Sequence, residues 1–272
     1  MGPMKDVLVV DSATQLGDKA RDAIVVCGSH GGMYPAWLAA HAGVRAIVLN
    51  DAGIGRHQAG VAGVAWLGSL GIAACAIDYR TARIADGASM VESGVVTMVN
   101  DAAAVHGCLP GHTCKQVAKC LRENAHEPHG DDVPPIGETR SRIPNSGHRP
   151  VWALDSMSLA RDDDKRAVLV TGSHGGLLGG KANDGMLDMD LFAAFFNDAG
   201  GGKDDAGFAR LAVLDGRGIA GATVSCNTAR IGDGRSTYDT GVVSRINAVA
   251  KRLDLKEGMT AREAVARLVG LA

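Results

Sequence analysis

Short runs of continuous apolar residues alternate along the chain with segments of helical character. The runs are four to six residues long and lie at 7–10, 23–26, 46–49 and 72–77. Between them, segments 34–42 and 61–70 carry many small and apolar residues, and we expect both to be helical. Continuous apolar strands between helices are typical of a parallel sheet that is covered on both faces. The pattern therefore predicts an α/β fold.

The second part of the chain repeats this pattern. Residues 23–32 match residues 167–176 at an offset of 144, with seven of ten positions identical. Residues 81–100 match residues 228–247 at an offset of 147, with eleven of twenty identical. We therefore predict two homologous βαβ-rich halves, formed by internal duplication, with mainly parallel sheets and a pseudo-two-fold axis.

The repeat also fixes the expected boundaries. The first α/β repeat spans 1–122 and the second spans 148–272. The segment 123–147 is rich in Pro, Gly, His and charged residues, so we expect a linker. Near the end of each repeat, Ser89 and Ser236 are each followed three residues later by an acidic side chain, which is the spacing of a capping box. We expect helices that begin there and end near residues 100 and 247.

A Gly-Ser-His-Gly-Gly loop follows the second predicted strand of each half, at residues 28–32 and 172–176. Right-handed crossovers place the carboxyl ends of parallel strands at one edge of the sheet. Glycines let a ligand approach the backbone, and amide groups at a helix start favour anions. We interpret both loops as parts of a site, with four substrate-binding candidates: Ser29, Gly31, Ser173 and Gly175.

His30 and His174 are the catalytic candidates of these loops. Imidazole titrates near neutral pH and can act as a general acid or base. The alternative is structural: the serine caps the next helix, and the imidazole forms hydrogen bonds only within the loop.

An Asn-Asp pair ends the third predicted strand of each half. Asp51 and Asp198 are catalytic candidates, because a carboxylate there can orient an imidazole or polarise a substrate N–H. Asn50 and Asn197 are candidates for substrate binding. The alternative is that each aspartate caps a turn or the next helix.

Arg83 and Arg230 lie in Thr-Ala-Arg-Ile loops after the fourth predicted strands. A guanidinium group suits a carboxylate or phosphate through two parallel hydrogen bonds, so both are substrate-binding candidates. The alternative is an ion pair with the aspartate three residues later, Asp86 or Asp233.

Differences between the halves suggest that the chemistry is not symmetric. Tyr79 aligns with Cys226, and Lys181 lies where an insertion alters the repeat. Cys226 is therefore a candidate nucleophile that a histidine would activate. The alternative is an inert, buried thiol.

Composition excludes several classes of protein. The net charge of −2 provides no basic surface for nucleic acid, and aromatic residues make up only 4%. No apolar run approaches the roughly 18–20 residues of a membrane helix. The six cysteines show no framework spacing, and with no export signal we expect a cytoplasmic protein with reduced thiols.

We expect no cofactor. The sequence has neither a phosphate-binding Walker loop nor Gly-x-Gly-x-x-Gly after a strand. His126 and His129 form a His-x-x-His pair in the linker, but no third residue is spaced to complete a metal site with them.

These features together indicate a cofactor-independent enzyme. We expect hydrolysis of a small amide, imide or carboxylate substrate in a cleft between the repeats, with arginines on the carboxylate and loop amides on the developing oxyanion. Two alternatives stay open: elimination or isomerisation α to a carboxylate, and non-enzymatic binding of an anionic metabolite. The expected partner is a small anionic or carbonyl-containing molecule, not nucleic acid or a membrane, and a homo-oligomer stays open.

Overall fold

The structure, a computed structural model, describes residues 7–124, 133–181 and 189–270. It has an α/β fold with two mixed sheets that are mostly parallel. Residues 7–124 carry one sheet and are called the first half below. Residues 133–270 carry the other sheet and are called the second half.

The first sheet contains β1 (Val7–Val10), β2 (Ile24–His30), β3 (Ala46–Asn50), β4 (Ala73–Ile77) and β5 (Val96–Val99). The strands lie in sequence order, and β5 alone of the five runs antiparallel to its neighbour. The helices of this half are α1 (Met33–His41), α2 (Ala62–Ser69), α3 (Gly87–Ser93), α4 (Asp101–Ala104) and α5 (Cys114–Asn124).

Both faces of this sheet are buried, which explains the continuous apolar runs. On one face, Val25 and Ile47 pack in a cluster with Leu67 of α2. On the other face, their chain neighbours Val26 and Val48 pack in a cluster with residues of α3 and α5. Successive strand residues point to opposite faces, so a strand that is covered on both sides needs an apolar residue at every position.

The second sheet contains β6 (Arg140–Ile143), β7 (Val151–Leu154), β8 (Val168–His174), β9 (Ala193–Asn197), β10 (Ala220–Val224) and β11 (Val243–Ile246). Strands β7 to β10 are parallel, and the two edge strands are antiparallel to their neighbours. The helices of this half are α6 (Arg210–Gly216), α7 (Gly234–Thr240), α8 (Ala248–Arg252) and α9 (Ala261–Val269). Within the described ranges, every helix is too short or too polar to span a membrane.

The prediction of long helices that begin at Ser89 and Ser236 is wrong. Helices α3 and α7 begin earlier, because Asp86 and Asp233 cap them by accepting hydrogen bonds from the backbone amides of those serines. Each helix is only seven residues long, and a glycine follows its last residue. The Val-Val run that follows then forms an edge strand, as β-branched residues favour.

Part of the expected linker belongs to the second sheet. Strand β6 pairs antiparallel with β7. Arg140 forms an ion pair with the buried Asp164, with nitrogen and oxygen 2.6 Å apart, and its guanidinium lies 3.9 Å from the ring centre of Trp152. Residues 125–132 lie outside the described residues. The end of the connecting segment is therefore fixed to the second half.

The two halves meet through their strand-end loops. An apolar cluster joins three residues of each half: Ala52, Ala59, Ile84, Ala199, Ala206 and Ile231. Three backbone hydrogen bonds cross the same boundary, from the amide of Arg56 to the carbonyl of Cys226 at 2.7 Å, from Lys203 to Tyr79 at 2.8 Å and from Gly179 to Ala85 at 2.7 Å. The cluster and the first two of these bonds use positions that align at offset 147, whereas the bond of Gly179 has no aligned counterpart among the described residues.

The first glycine of each Gly-Ser-His-Gly-Gly loop allows a close backbone contact. A Cβ atom at Gly28 would lie 2.4 Å from the backbone nitrogen of Asp86, and one at Gly172 would lie 2.2 Å from that of Asp233. The histidine loop and the arginine loop can approach this closely only because these positions have no side chain.

Replacing Gly172 by alanine should therefore lower the free energy of unfolding by about 1–3 kcal/mol, because the loops must separate. Gly216→Ala is the matched control, since a Cβ atom there meets nothing within 4 Å. Chemical denaturation of both variants measures the difference. Equal stability of the two variants would contradict the close contact.

Candidate functional site

The histidines of the two glycine-rich loops lie together between the halves. Their ring centres are 6.5 Å apart, and the ring planes are inclined by 81°. His30 ends β2 beside Asn50 of β3, and His174 ends β8 beside Asn197 of β9. Two separate sheets thus bring one imidazole each to the same cleft.

Each imidazole is held in one tautomer by its own loop. The backbone amide of Gly32 donates to Nδ1 of His30 at 3.1 Å, and that of Gly176 donates to Nδ1 of His174 at 3.2 Å. A nitrogen that accepts a hydrogen bond carries no proton, so the proton of the neutral ring lies on Nε2. Both rings can therefore present an N–H donor to a ligand.

Both imidazoles are neutral at physiological pH. Burial lowers the pKa of His30 to about 4. Burial, and then the positive charge of Arg210 and the neighbouring His30, lower the pKa of His174 to about 3. A neutral imidazole N–H can polarise a carbonyl oxygen without carrying a charge of its own.

Arg210 is a site residue that the sequence analysis missed. It begins α6, is only 1% exposed, and donates from Nε to the carbonyl of Gly176 at 2.9 Å. It aligns with Gly63, where a Cβ atom would lie 2.5 Å from Cβ of Ala36 in α1. The first half therefore needs a glycine at the position that holds a buried cation in the second. Comparing aligned positions for a change of charge would have revealed it.

Glu138 is a second residue that the sequence analysis missed. It belongs to the segment that connects the halves, and it forms a hydrogen bond with Tyr34. Burial and the negative charge of Asp155 raise its pKa to about 7, against the smaller opposing effect of that hydrogen bond. Nothing in the sequence distinguishes this glutamate from the other charged residues of the segment.

Two adjoining cavities form the cleft. The inner cavity has a volume of about 310 Å³ and contains both histidines and Arg210 in its wall. The outer cavity has a volume of about 290 Å³ and is lined by His57 and Arg230. The cavities share a wall formed by His30, Tyr34, Glu138, Asp155 and Gly232.

The two loop serines line the inner cavity. The hydroxyl oxygen of Ser29 accepts a hydrogen bond from the amide of Ala13 at 2.9 Å, and that of Ser173 accepts one from Met157 at 2.8 Å. These bonds tie each histidine loop to the short turn that follows a neighbouring strand, β1 in the first half and β7 in the second. The hydroxyl groups lie at the cavity wall but are not hydrogen-bonded to either imidazole.

The other polar groups of these strand ends serve the loops themselves. The amides of Gly31 and Gly175 donate to the carbonyls of Asn50 and Asn197, at 2.7 and 2.9 Å. The asparagine side chains are fully buried and donate to carbonyls in the arginine loops. In this conformation, the groups expected to bind substrate are engaged within the protein.

Asp51 and Asp198 cap turns instead of orienting the imidazoles. Asp51 accepts hydrogen bonds of 3.0 Å from the amides of Gly53 and Tyr79 and the hydroxyl of Thr97. Asp198 accepts bonds of 2.9 Å from the amides of Gly200 and Cys226. The Nδ1 atoms that a carboxylate would have to contact are already occupied by the glycine amides.

Arg83 and Arg230 each form an ion pair with the aspartate three residues later, which was the structural alternative to substrate binding. Arg83 binds Asp86 with nitrogen and oxygen 2.9 Å apart, and it also binds Asp204 of the other half at 2.8 Å. Arg230 binds Asp233. Of these two arginines, Arg230 lines the outer cavity of the cleft, whereas Arg83 lines a different cavity.

Cys226 does not have the environment of an activated nucleophile. Cys226 is only 4% exposed, and a Cβ atom on Gly53 of the other half would lie 3.2 Å from its Sγ atom. Burial, followed by the charge of Asp198, raises its pKa to about 12, so it remains a thiol. Its position aligns with Tyr79, which packs against Gly200 in the same way. Cys226 therefore contributes packing between the halves.

Comparisons with protein-family models, with curated proteins and with solved structures find no match for this chain. Among the described residues, no three His, Cys, Asp or Glu side chains form a group that could hold a metal ion. His126 and His129 lie outside those residues.

The lowered histidine pKa values predict a stability that depends on pH. Between the unfolded pKa of about 6.5 and the lower folded values, the unfolded chain binds more protons. Acidification from pH 6.5 to pH 4 should therefore lower the free energy of unfolding, by up to about 1.4 kcal/mol per pH unit for each histidine. Glu138 acts in the opposite direction, because its raised pKa stabilises the fold towards low pH.

Comparing variants separates these contributions. His30→Asn should show a shallower dependence of the free energy of unfolding on pH than the wild type. The exposed His148→Asn serves as the control and should keep the wild-type slope. Urea denaturation at a series of pH values gives the slopes. A wild-type slope in His30→Asn would show that burial does not hold this imidazole neutral.

Proposed function

We propose that the protein is a cofactor-independent enzyme that hydrolyses a small amide or imide in the cleft between the halves. The main support is that the cleft combines two neutral imidazoles with a glutamate whose pKa is raised to about 7. The proposal gives these groups separate roles, namely polarisation of a carbonyl group and transfer of a proton.

His30 and His174 are proposed to polarise the substrate carbonyl. Their Nδ1 atoms accept loop amides, so Nε2–H is the group left to donate. Donors that are fixed before substrate binds stabilise the negative charge that develops on oxygen in the transition state. Arg210 adds a buried positive charge in the wall of the same cavity.

Glu138 is proposed to be the general base. A base works best when its pKa lies near the working pH, and burial brings this carboxyl group to about 7. It lines the wall shared by both cavities together with His30. A water molecule that loses its proton to Glu138 would attack the carbonyl carbon, and the proton would then pass to the leaving nitrogen.

Water is the proposed nucleophile because the protein side chains do not suit that role. Cys226 remains a thiol, and the hydroxyl oxygens of Ser29 and Ser173 accept backbone amides with no base bonded to them. A second reaction uses the same groups: Glu138 could remove a proton α to the carbonyl, giving isomerisation or elimination. A carboxylate base next to a neutral imidazole donor also suits this second reaction, because the imidazole can stabilise the enolate that forms when the proton is removed.

We also infer that the two halves arose by internal duplication. Each sheet has four parallel strands followed by an antiparallel strand, with an aspartate cap on the helix between the last two. The apolar cluster at the boundary and two of the backbone hydrogen bonds across it use aligned positions. An ancestral pair of identical subunits with facing loops would explain why the cleft has two imidazoles.

The reaction can be identified by the mass of the product. We would incubate the protein with cyclic imides, linear amides and 3-oxo acids, and analyse the mixtures by mass spectrometry. Hydrolysis of an imide adds the mass of one water, isomerisation leaves the mass unchanged, and elimination lowers it. Saturable binding with no product would favour the non-enzymatic alternative.

For a substrate that turns over, Glu138→Gln should lower kcat by at least about a hundredfold, the usual contribution of a positioned base. The wild-type rate should rise with pH with an inflection near pH 7, since only the carboxylate can accept a proton. Glu257→Gln, on the surface, is the matched control. Normal turnover in Glu138→Gln would exclude the proposed base.

His30→Asn and His174→Asn should each lower kcat by about ten- to a thousandfold if the imidazoles polarise the carbonyl group. His148→Asn is the control for a general effect of removing an imidazole. Unchanged turnover in both cleft variants would overturn the proposed role of the pair.

A further inference from the structure

We propose that Arg230 forms a carboxylate-binding subsite in the outer cavity, and that Asp204 neutralises the corresponding site at Arg83. The assignment of the ligand as part of the substrate rests on the proposed function, whereas the binding itself does not. Small carboxylates are the chemical class to which the subsite is assigned.

The two arginines lie in cavities whose walls correspond. Arg83 lines a cavity of about 370 Å³, and Arg230 lines the outer cavity of about 290 Å³. Six residues that line the first cavity align at offset 147 with residues that line the outer cavity, including the isoleucine and the aspartate that follow each arginine. One aligned pair changes charge: Asp204 lines the first cavity, and His57 lines the second.

This exchange changes the bonding of the guanidinium group. Arg83 donates from Nε to Asp86 at 3.0 Å and from Nη1 to Asp204 at 2.8 Å, so two carboxylates surround it. Arg230 has one carboxylate partner among the described residues, Asp233. A guanidinium group that binds one carboxylate still has N–H donors for a second one. Its planar arrangement of donors allows two parallel hydrogen bonds to the carboxylate of a ligand.

The backbone around the exchanged residues is the same. His57 has φ 53° and ψ 30°, and Asp204 has φ 56° and ψ 30°. Their side chains therefore leave aligned loops in the same direction. The exchange at this position therefore changes the side chain and not the backbone, and a histidine cannot supply the negative charge that Asp204 gives to Arg83.

Among the described residues, the other acids of the outer cavity form no ion pair with Arg230. Asp155 is engaged by the amide and hydroxyl of Thr139, both at 2.7 Å, and by the amide of Gly234 at 3.1 Å. Glu138 has its pKa raised to about 7 and is partly protonated there. Arg230 is 49% exposed as a side chain, so a ligand can reach it.

The position of the subsite indicates what kind of molecule it would select. The outer cavity shares His30 and Glu138 with the inner cavity. A molecule whose carboxylate binds Arg230 would extend along this wall towards the imidazoles. The inferred substrate class is therefore a small amide or imide that also carries a carboxylate.

The test uses two substitutions at His57, read by equilibrium binding. The probes are acetate, succinate, glutarate and inorganic phosphate, measured by calorimetry. His57→Asp places beside Arg230 the charge that Asp204 places beside Arg83, and should weaken binding of the best probe at least about tenfold. His57→Asn is the matched control, because asparagine accepts the same positive φ but has no charge, and it should bind within about twofold of the wild type.

Three results would overturn the subsite: equal binding to His57→Asp and wild type, equal weakening by both substitutions, or no saturable binding of any probe to the wild type. Asp204→His should add a second binding event at Arg83, and a single event would contradict the equivalence of the two cavities. The binding experiment does not depend on turnover. The roles of His30 and Glu138 are tested separately, by the kinetics of His30→Asn and Glu138→Gln.

Discussion

The chemistry of the cleft depends on one hydrogen bond, from a glycine amide to the Nδ1 atom of the histidine two residues earlier. It occurs once in each half, at Gly32 and Gly176. It fixes the proton of the neutral imidazole on Nε2 and so makes each ring a donor. The bond also explains why the motif ends in glycine, because a Cβ atom on Gly32 would lie 2.6 Å from Nδ1 of its own histidine. The second and third glycines of the motif therefore allow the bond to the imidazole and the close approach of the surrounding backbone.

The differences between the halves are as informative as their similarity. The apolar cluster and two of the backbone hydrogen bonds between the halves use aligned residues, so both halves contribute equivalent positions to this boundary. Single exchanges then make the cleft asymmetric. Gly63 lies against α1 in the first half, whereas Arg210 contributes a buried cation in the second. His57 replaces the acid that neutralises the aligned arginine. A pair of similar loops can in this way hold one substrate in one orientation.

The sequence predicted the fold class and the pairing of loops better than it predicted the roles of residues. Continuous apolar runs and parallel crossovers were sufficient to bring His30 and His174 to one sheet edge each. Asp51 and Cys226 were chosen for their chemistry, but turn amides and packing between the halves use them instead. Such a choice depends on distances that periodicity does not contain. Glu138 could not be predicted, because its raised pKa arises only when the connecting segment folds over the cleft.

The central claim is that two facing loops hold neutral imidazoles with the proton on Nε2. Nitrogen NMR of protein labelled at the histidine rings measures both the tautomer and the titration directly. The account predicts an Nε2–H signal for His30 and His174 that persists as the pH falls to about 5, well below the ordinary histidine pKa near 6.5. Protonation of either ring near pH 6.5, or a proton on Nδ1 at neutral pH, would contradict it.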